Sequence, residues 1–120
     1  MDFKPTNLPI ESEYPKLVRD NIPAIIKAKE GVDVKTRILE KDEEYLKYLL
    51  KKIVEEATEL QHSGKEGNTQ EELGDVLEII SAILKLKGWS MEDIIKVQKE
   101  KREKNGGFKK RILMLENIKK

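Results

Sequence analysis

Two stretches with helical apolar periodicity, residues 42–62 and 70–87, set the strongest limit on what this chain can fold into. In the first, apolar side chains recur every three or four residues, as Leu46, Leu49 and Ile53 do. In the second, they cover an arc of about 180° around the helix axis. The linker between the stretches is short and contains two glycines. It therefore predicts an antiparallel pair of helices.

The segments before this pair are less regular. Residues 1–15 hold three of the four prolines and show no periodicity, so they predict an extended arm, followed by a single helical domain over residues 16–120. A short helix over residues 21–29 is expected to begin through Asp20 and to end at Gly31. The β-branched residues that follow, at 32–39, favour a short extended segment.

A fourth helix is expected after the pair. Ser90 and Asp93 have the spacing of a capping box, and Gly106 ends the helical pattern, while residues 108–115 fit either an extended segment or a last helical turn. The fold class predicted is therefore all-α, an antiparallel bundle of four to five helices. Because one neighbour cannot bury the wide apolar arc of residues 70–87, we expect at least a homodimer, with a homotetramer also open.

The composition limits the kinds of functional site that this chain can form. The 120 residues include no cysteine and one histidine, which excludes thiolate sites and leaves little scope for imidazole-rich zinc sites. No apolar run is long enough for a membrane helix, and no signal peptide is evident, so a cytoplasmic location is expected. The net charge of +1 hides a segregation: residues 40–79 hold twelve acidic and five basic residues, and residues 96–120 hold ten basic and three acidic.

Two pairs of acidic residues interrupt the apolar helices. Glu56 and Glu59 are three residues apart, as are Glu72 and Asp75, so each pair lies on one helix face. A carboxylate removed from water needs a partner charge or a proton. Facing pairs on two packed helices would form an all-oxygen site suited to Mg²⁺, with Mn²⁺ also possible. The competing interpretation for Glu72 is a capping box with Thr69, which requires no metal.

These pairs belong to a longer pattern. The sequence Glu56-x-x-Glu59, twelve residues and then Glu72-x-x-Asp75 resembles the metal-binding signature of the MazG-like all-α nucleoside triphosphate pyrophosphohydrolases. Residues 16–23, 71–75 and 101–112 resemble a branch that is also similar to phosphoribosyl-ATP pyrophosphohydrolase.

The resemblance implies a helical bundle that assembles as a dimer or higher oligomer and holds Mg²⁺ through those four carboxylates. It also implies cleavage of a nucleotide between its α- and β-phosphates, as in house-cleaning enzymes that remove unwanted nucleotides. Glu55 is the nearest further carboxylate that could orient or deprotonate the attacking water, although a helical wheel places both it and Glu78 on the solvent side. The candidate phosphate-binding side chains are Lys16, Arg19, Lys101, Arg102 and Arg111.

Two other functions fit parts of the sequence. The same bundle would serve as a sensor if it bound a metal–nucleotide complex without turnover. The basic tail would serve a nucleic-acid binder, for which the near-neutral net charge and the 5% aromatic content are unfavourable.

Overall fold

The computed structural model describes residues 14–64 and 67–118, and the described residues form four helices and no strand. The helices are α1 (Ile22–Glu30), α2 (Asp42–Ser63), α3 (Thr69–Lys87) and α4 (Met91–Asn105). The all-α prediction is thus confirmed. The predicted N-terminal arm falls almost wholly outside the described residues.

The chain divides into two compact units after Gly88. The single domain predicted over residues 16–120 stays a prediction. None of the described helices combines the length and the apolar character that crossing a bilayer requires.

In the first unit, α2 packs along α3. The connection between them is only five residues long, so the two helices run antiparallel, as the linker predicted. The buried Ser63 joins their adjacent ends, because its hydroxyl oxygen is 2.7 Å from the Leu60 carbonyl and 3.1 Å from the Thr69 hydroxyl. The core is small, and its buried apolar side chains among the described residues are Ile22, Leu49, Ile79 and Leu84.

The ends of α1 and α3 confirm one of the predicted caps and contradict two others. Asn21, not Asp20, is the N-cap of α1, so that prediction was wrong. Gly31 ends α1 in the left-handed conformation with φ 66°, as predicted. At α3 the N-cap is Asn68, whose side chain makes no capping hydrogen bond, while Thr69 is already helical. The capping-box interpretation of Glu72 is therefore wrong.

The irregular segments carry little secondary structure. Residues 31–41 form neither helix nor strand. The segment at 32–39, which was expected to be extended, is therefore an irregular connection. In the second unit, Ser90 and Asp93 form the predicted capping box, with each side chain accepting the other residue's backbone amide at 3.1 and 2.8 Å. Beyond α4, residues 106–118 are non-helical and largely exposed.

Candidate metal and phosphate site

Three carboxylates from the two antiparallel helices meet in the first unit. Glu56 on α2 and Glu72 and Asp75 on α3 each offer an oxygen, and these oxygens lie within 4.8 Å of one another. Glu72 is only 1% exposed, and Glu56 and Asp75 are half-buried. A single divalent cation could be held by all three, since carboxylate oxygens bind such an ion at about 2.0–2.6 Å.

The fourth predicted ligand, Glu59, is close to this group without belonging to it. Its side chain is half-buried and lines the same cleft as Glu56 and Asp75. Its Oε1 atom is buried and has no hydrogen-bond partner. A buried acceptor of this kind is costly unless something else satisfies it, and a cation would do so.

Glu56, Glu59 and Asp75 open onto a cleft of about 420 Å³, while Glu72 is buried behind its lining. The segment before α1 forms one side of it, and the facing sides of α2 and α3 form the others. The lining residues are Lys16, Leu17, Val18, Arg19, Asp20, Asn21, Tyr45, Leu49, Lys52, Glu55, Glu56, Glu59, Asp75, Glu78, Ile79 and Ala82. Such a concave site with convergent charged groups is the usual form of a ligand-binding pocket.

Cationic side chains lie next to these acids in the cleft. Lys52 Nζ lies 3.3 Å from Glu55 Oε2 and 3.6 Å from Glu56 Oε1. Lys16 Nζ lies 3.8 Å from the other oxygen of Glu55. Arg19 Nη2 donates a 2.8 Å hydrogen bond to Asp75 Oδ1. The cleft therefore holds cations and anions side by side, as a ligand that combines a metal ion with phosphates would need.

The helical wheel was wrong about Glu55 and right about the exposure of Glu78. Glu55 is buried and lies between two lysine ammonium groups, so its assignment to the solvent side was wrong. The N-terminal segment covers that side of α2 and contributes Lys16. Glu78 is exposed, as expected, and its side chain also borders the cleft.

Burial and neighbouring acids perturb one member of the cluster. Burial raises the pKa of Glu56 above the ordinary glutamate value, Lys52 opposes this, and the negative charges of Asp75, Glu72 and Glu55 add to the rise. A carboxylate that resists ionisation beside other carboxylates is the electrostatic state expected where a cation is to bind.

The predicted phosphate-binding residues divide between the two units. Lys16 and Arg19 line the cleft. Lys101 and Arg102 lie exposed on α4, and Arg111 is exposed beyond it, so all three belong to the second unit and their role stays a prediction. Lys52 was missed, although its position three and four residues before Glu55 and Glu56 places it on their helix face.

The residues present fit a hard divalent cation, because the donors are carboxylates and one nearby carboxylate oxygen lacks a hydrogen bond. Comparisons of the chain with protein family models, with curated proteins and with solved structures find no match.

Proposed function

We propose that this protein is a Mg²⁺-dependent nucleotide pyrophosphohydrolase of the MazG-like type, which hydrolyses the α–β phosphoanhydride bond of a nucleoside triphosphate or related nucleotide. Water adds across that bond, and the products are a nucleoside monophosphate and pyrophosphate. The observation that supports it most is the meeting of Glu56, Glu72 and Asp75 within 4.8 Å beside three cationic side chains.

The chain's own groups supply binding and orientation. Arg19 is ion-paired with Asp75 at 2.8 Å and Lys52 with Glu56 at 3.6 Å, and a metal ion that took over these two carboxylates would free both cations to bind phosphate oxygens. When bound, Mg²⁺ would neutralise charge on the leaving pyrophosphate and make a bound water more acidic. Glu55, buried beside the cluster and lining the cleft, is the best-placed residue to hold that water.

Pyrophosphate release from a panel of nucleotides tests the proposal. We expect release with Mg²⁺ and none with a chelator. Glu56→Gln and Asp75→Asn should each reduce it by at least a hundredfold with circular dichroism unchanged, because each removes a charged ligand. The matched control is Glu43→Gln, an exposed acid in the first turn of α2.

Three outcomes separate the candidate functions. Release that survives in Glu56→Gln and Asp75→Asn contradicts this site. If nucleotides bind but none of them yields pyrophosphate, the result indicates the sensor instead. Retention of DNA or RNA that weakens steeply with salt indicates the nucleic-acid binder.

We further propose that the chain forms a homo-oligomer through an apolar face of the α2–α3 pair. Leu50 and Val54 on α2 are 49% and 61% exposed, and Leu73 and Leu77 on α3 are 53% and 52% exposed. Leucines and valines at helical spacing on two adjoining helices form a patch that soluble monomers rarely leave in water. A second copy offers an identical patch, so two helix pairs could bury both patches in a four-helix arrangement.

A further inference from the structure

The cleft extends well beyond its carboxylates. On α2 the lining continues from Glu56 back to Tyr45, and on α3 it continues from Asp75 forward to Ala82. Because the helices are antiparallel, both runs lead in the same direction. At 1.5 Å per residue, Ala82 is about 10 Å and Tyr45 about 16 Å along the helices from the carboxylate cluster.

The character of the lining changes along this length. Near the cluster it is charged, whereas at the far end α2 and α3 contribute Tyr45, Leu49, Ile79 and Ala82. Leu49 and Ile79 are buried and form a floor, while Tyr45 and Ala82 are half-buried and keep part of their surface in the cleft. Of the chain's six aromatic side chains, Tyr45 is the one found among the described lining residues.

We infer that this apolar end binds the base of a nucleotide, with the Tyr45 ring as the stacking surface and the small Ala82 leaving space for a planar group. The inference rests on the proposed function, since it places the phosphates at Lys52 and Arg19. A ligand with a charged end and a flat apolar end matches the gradient of the lining. Aromatic stacking accepts any base, so it predicts a nucleoside requirement with modest base preference.

Neighbouring positions provide matched controls. Tyr48 is on the same helix and is half-buried, but its ring lies 5.3–5.5 Å from the ammonium groups of Lys47 and Lys51 and does not line the cleft. Ser81 is exposed, adjacent to Ala82 and also outside the cleft lining. The test set is therefore Tyr45→Ala and Ala82→Phe, with Tyr48→Ala and Ser81→Phe as controls and Tyr45→Phe as the conservative variant.

The measurement is calorimetric titration of the full-length chain with nucleoside monophosphates in the presence of Mg²⁺, which needs no turnover. Tyr45→Ala should weaken binding about 5- to 150-fold, the range seen when a stacking aromatic is removed. Ala82→Phe should weaken it by filling the space, and Tyr45→Phe should keep the wild-type affinity. Tyr48→Ala and Ser81→Phe should bind as the wild type does, and Mg²⁺ titration should show an intact carboxylate site in every variant.

Failure here is distinguishable from failure of the proposed function. If nucleotides release pyrophosphate but Tyr45→Ala binds monophosphates as the wild type does, the base site is overturned and the enzyme stands. If monophosphates bind through Tyr45 and no nucleotide is hydrolysed, the proposed base site is supported and the proposed enzymatic function is contradicted. Absence of any nucleotide binding overturns both.

Discussion

Glu56 links the electrostatics of the cluster to its pH dependence. Its pKa is raised, chiefly by burial and then by neighbouring acids, so it keeps its proton to a higher pH than an ordinary glutamate. Metal binding requires the carboxylate and therefore competes with that proton. We predict that Mg²⁺ affinity falls about tenfold per pH unit below the Glu56 pKa. Calorimetry over a pH series checks this, and a flat profile down to the ordinary glutamate pKa would contradict it.

The raised pKa of Glu56 also predicts that its ionisation destabilises the metal-free protein. Because the folded-state pKa of Glu56 is raised, the metal-free folded protein holds its proton more tightly than the unfolded chain does, and ionisation costs stability as pH rises through that pKa. Glu56→Gln should therefore raise the thermal midpoint of the metal-free protein at neutral pH. The gain should vanish below the unfolded-state pKa, and scanning calorimetry at both pH values measures the difference. Equal midpoints for the two proteins at neutral pH would refute this.

Removal of the Glu55 carboxylate should destabilise the protein, whereas removal of the Glu56 charge should stabilise it. Glu55 is buried between Lys16 and Lys52, so Glu55→Ala removes a carboxylate that two poorly solvated ammonium groups share, although Lys52 keeps its 3.6 Å ion pair with Glu56. Removing one partner from a buried ion pair typically costs about 3 kcal/mol. Urea unfolding should show a loss of that size, compared with at most about 0.5 kcal/mol for the exposed Glu43→Ala. A loss no larger than that of the control would mean that the ion pairs carry little energy.

Two glycines on one element, α3, give opposite predictions. Gly88 ends the helix at φ 76°, with open space where a Cβ would be, so Gly88→Ala incurs only backbone strain of about 1 kcal/mol. Gly74 is within the helix and also has open space around its Cβ position, so Gly74→Ala should stabilise by up to about 1 kcal/mol. Chemical denaturation of both variants measures the two effects. Changes of the same sign would contradict the assigned helix end.

At the level of the whole molecule, the exposed apolar face of the α2–α3 pair predicts self-association. Val54→Lys combined with Leu77→Lys places charges in the centre of that face. We expect the wild type to sediment as a dimer or tetramer and the double variant as a monomer. Lys29→Glu with Lys35→Glu, at exposed positions on α1 and on the connection that follows it, provides a charge-changing control outside α2 and α3. A monomeric wild type at micromolar concentration would refute the interface.

Helix positions followed directly from the sequence, because periodicity and glycine stops are local properties. Residues 42–62 and 70–87 were predicted as helices, and α2 and α3 differ from these bounds by one residue at one end each. The facing of Glu56 with Glu72 and Asp75 was also predictable, since a short linker leaves only an antiparallel pairing. The cap of α1 was missed because Asp20 and Asn21 are both good N-caps and a pattern cannot choose between them.

What the sequence determined by itself is thus the helical class, the antiparallel pair and the two acidic pairs on facing sides, all of which depend on spacing along one or two helices. Only the tertiary structure decided that Glu55 is buried, that Lys16 and Arg19 reach the acids, and that the cleft continues to Tyr45. The physical reason is that a helical wheel gives the faces of one helix and contains no information about which face a distant segment covers. Residues 16–21 pack beside α2 and α3 from far away in sequence, and that contact converts a solvated face into the wall of a site.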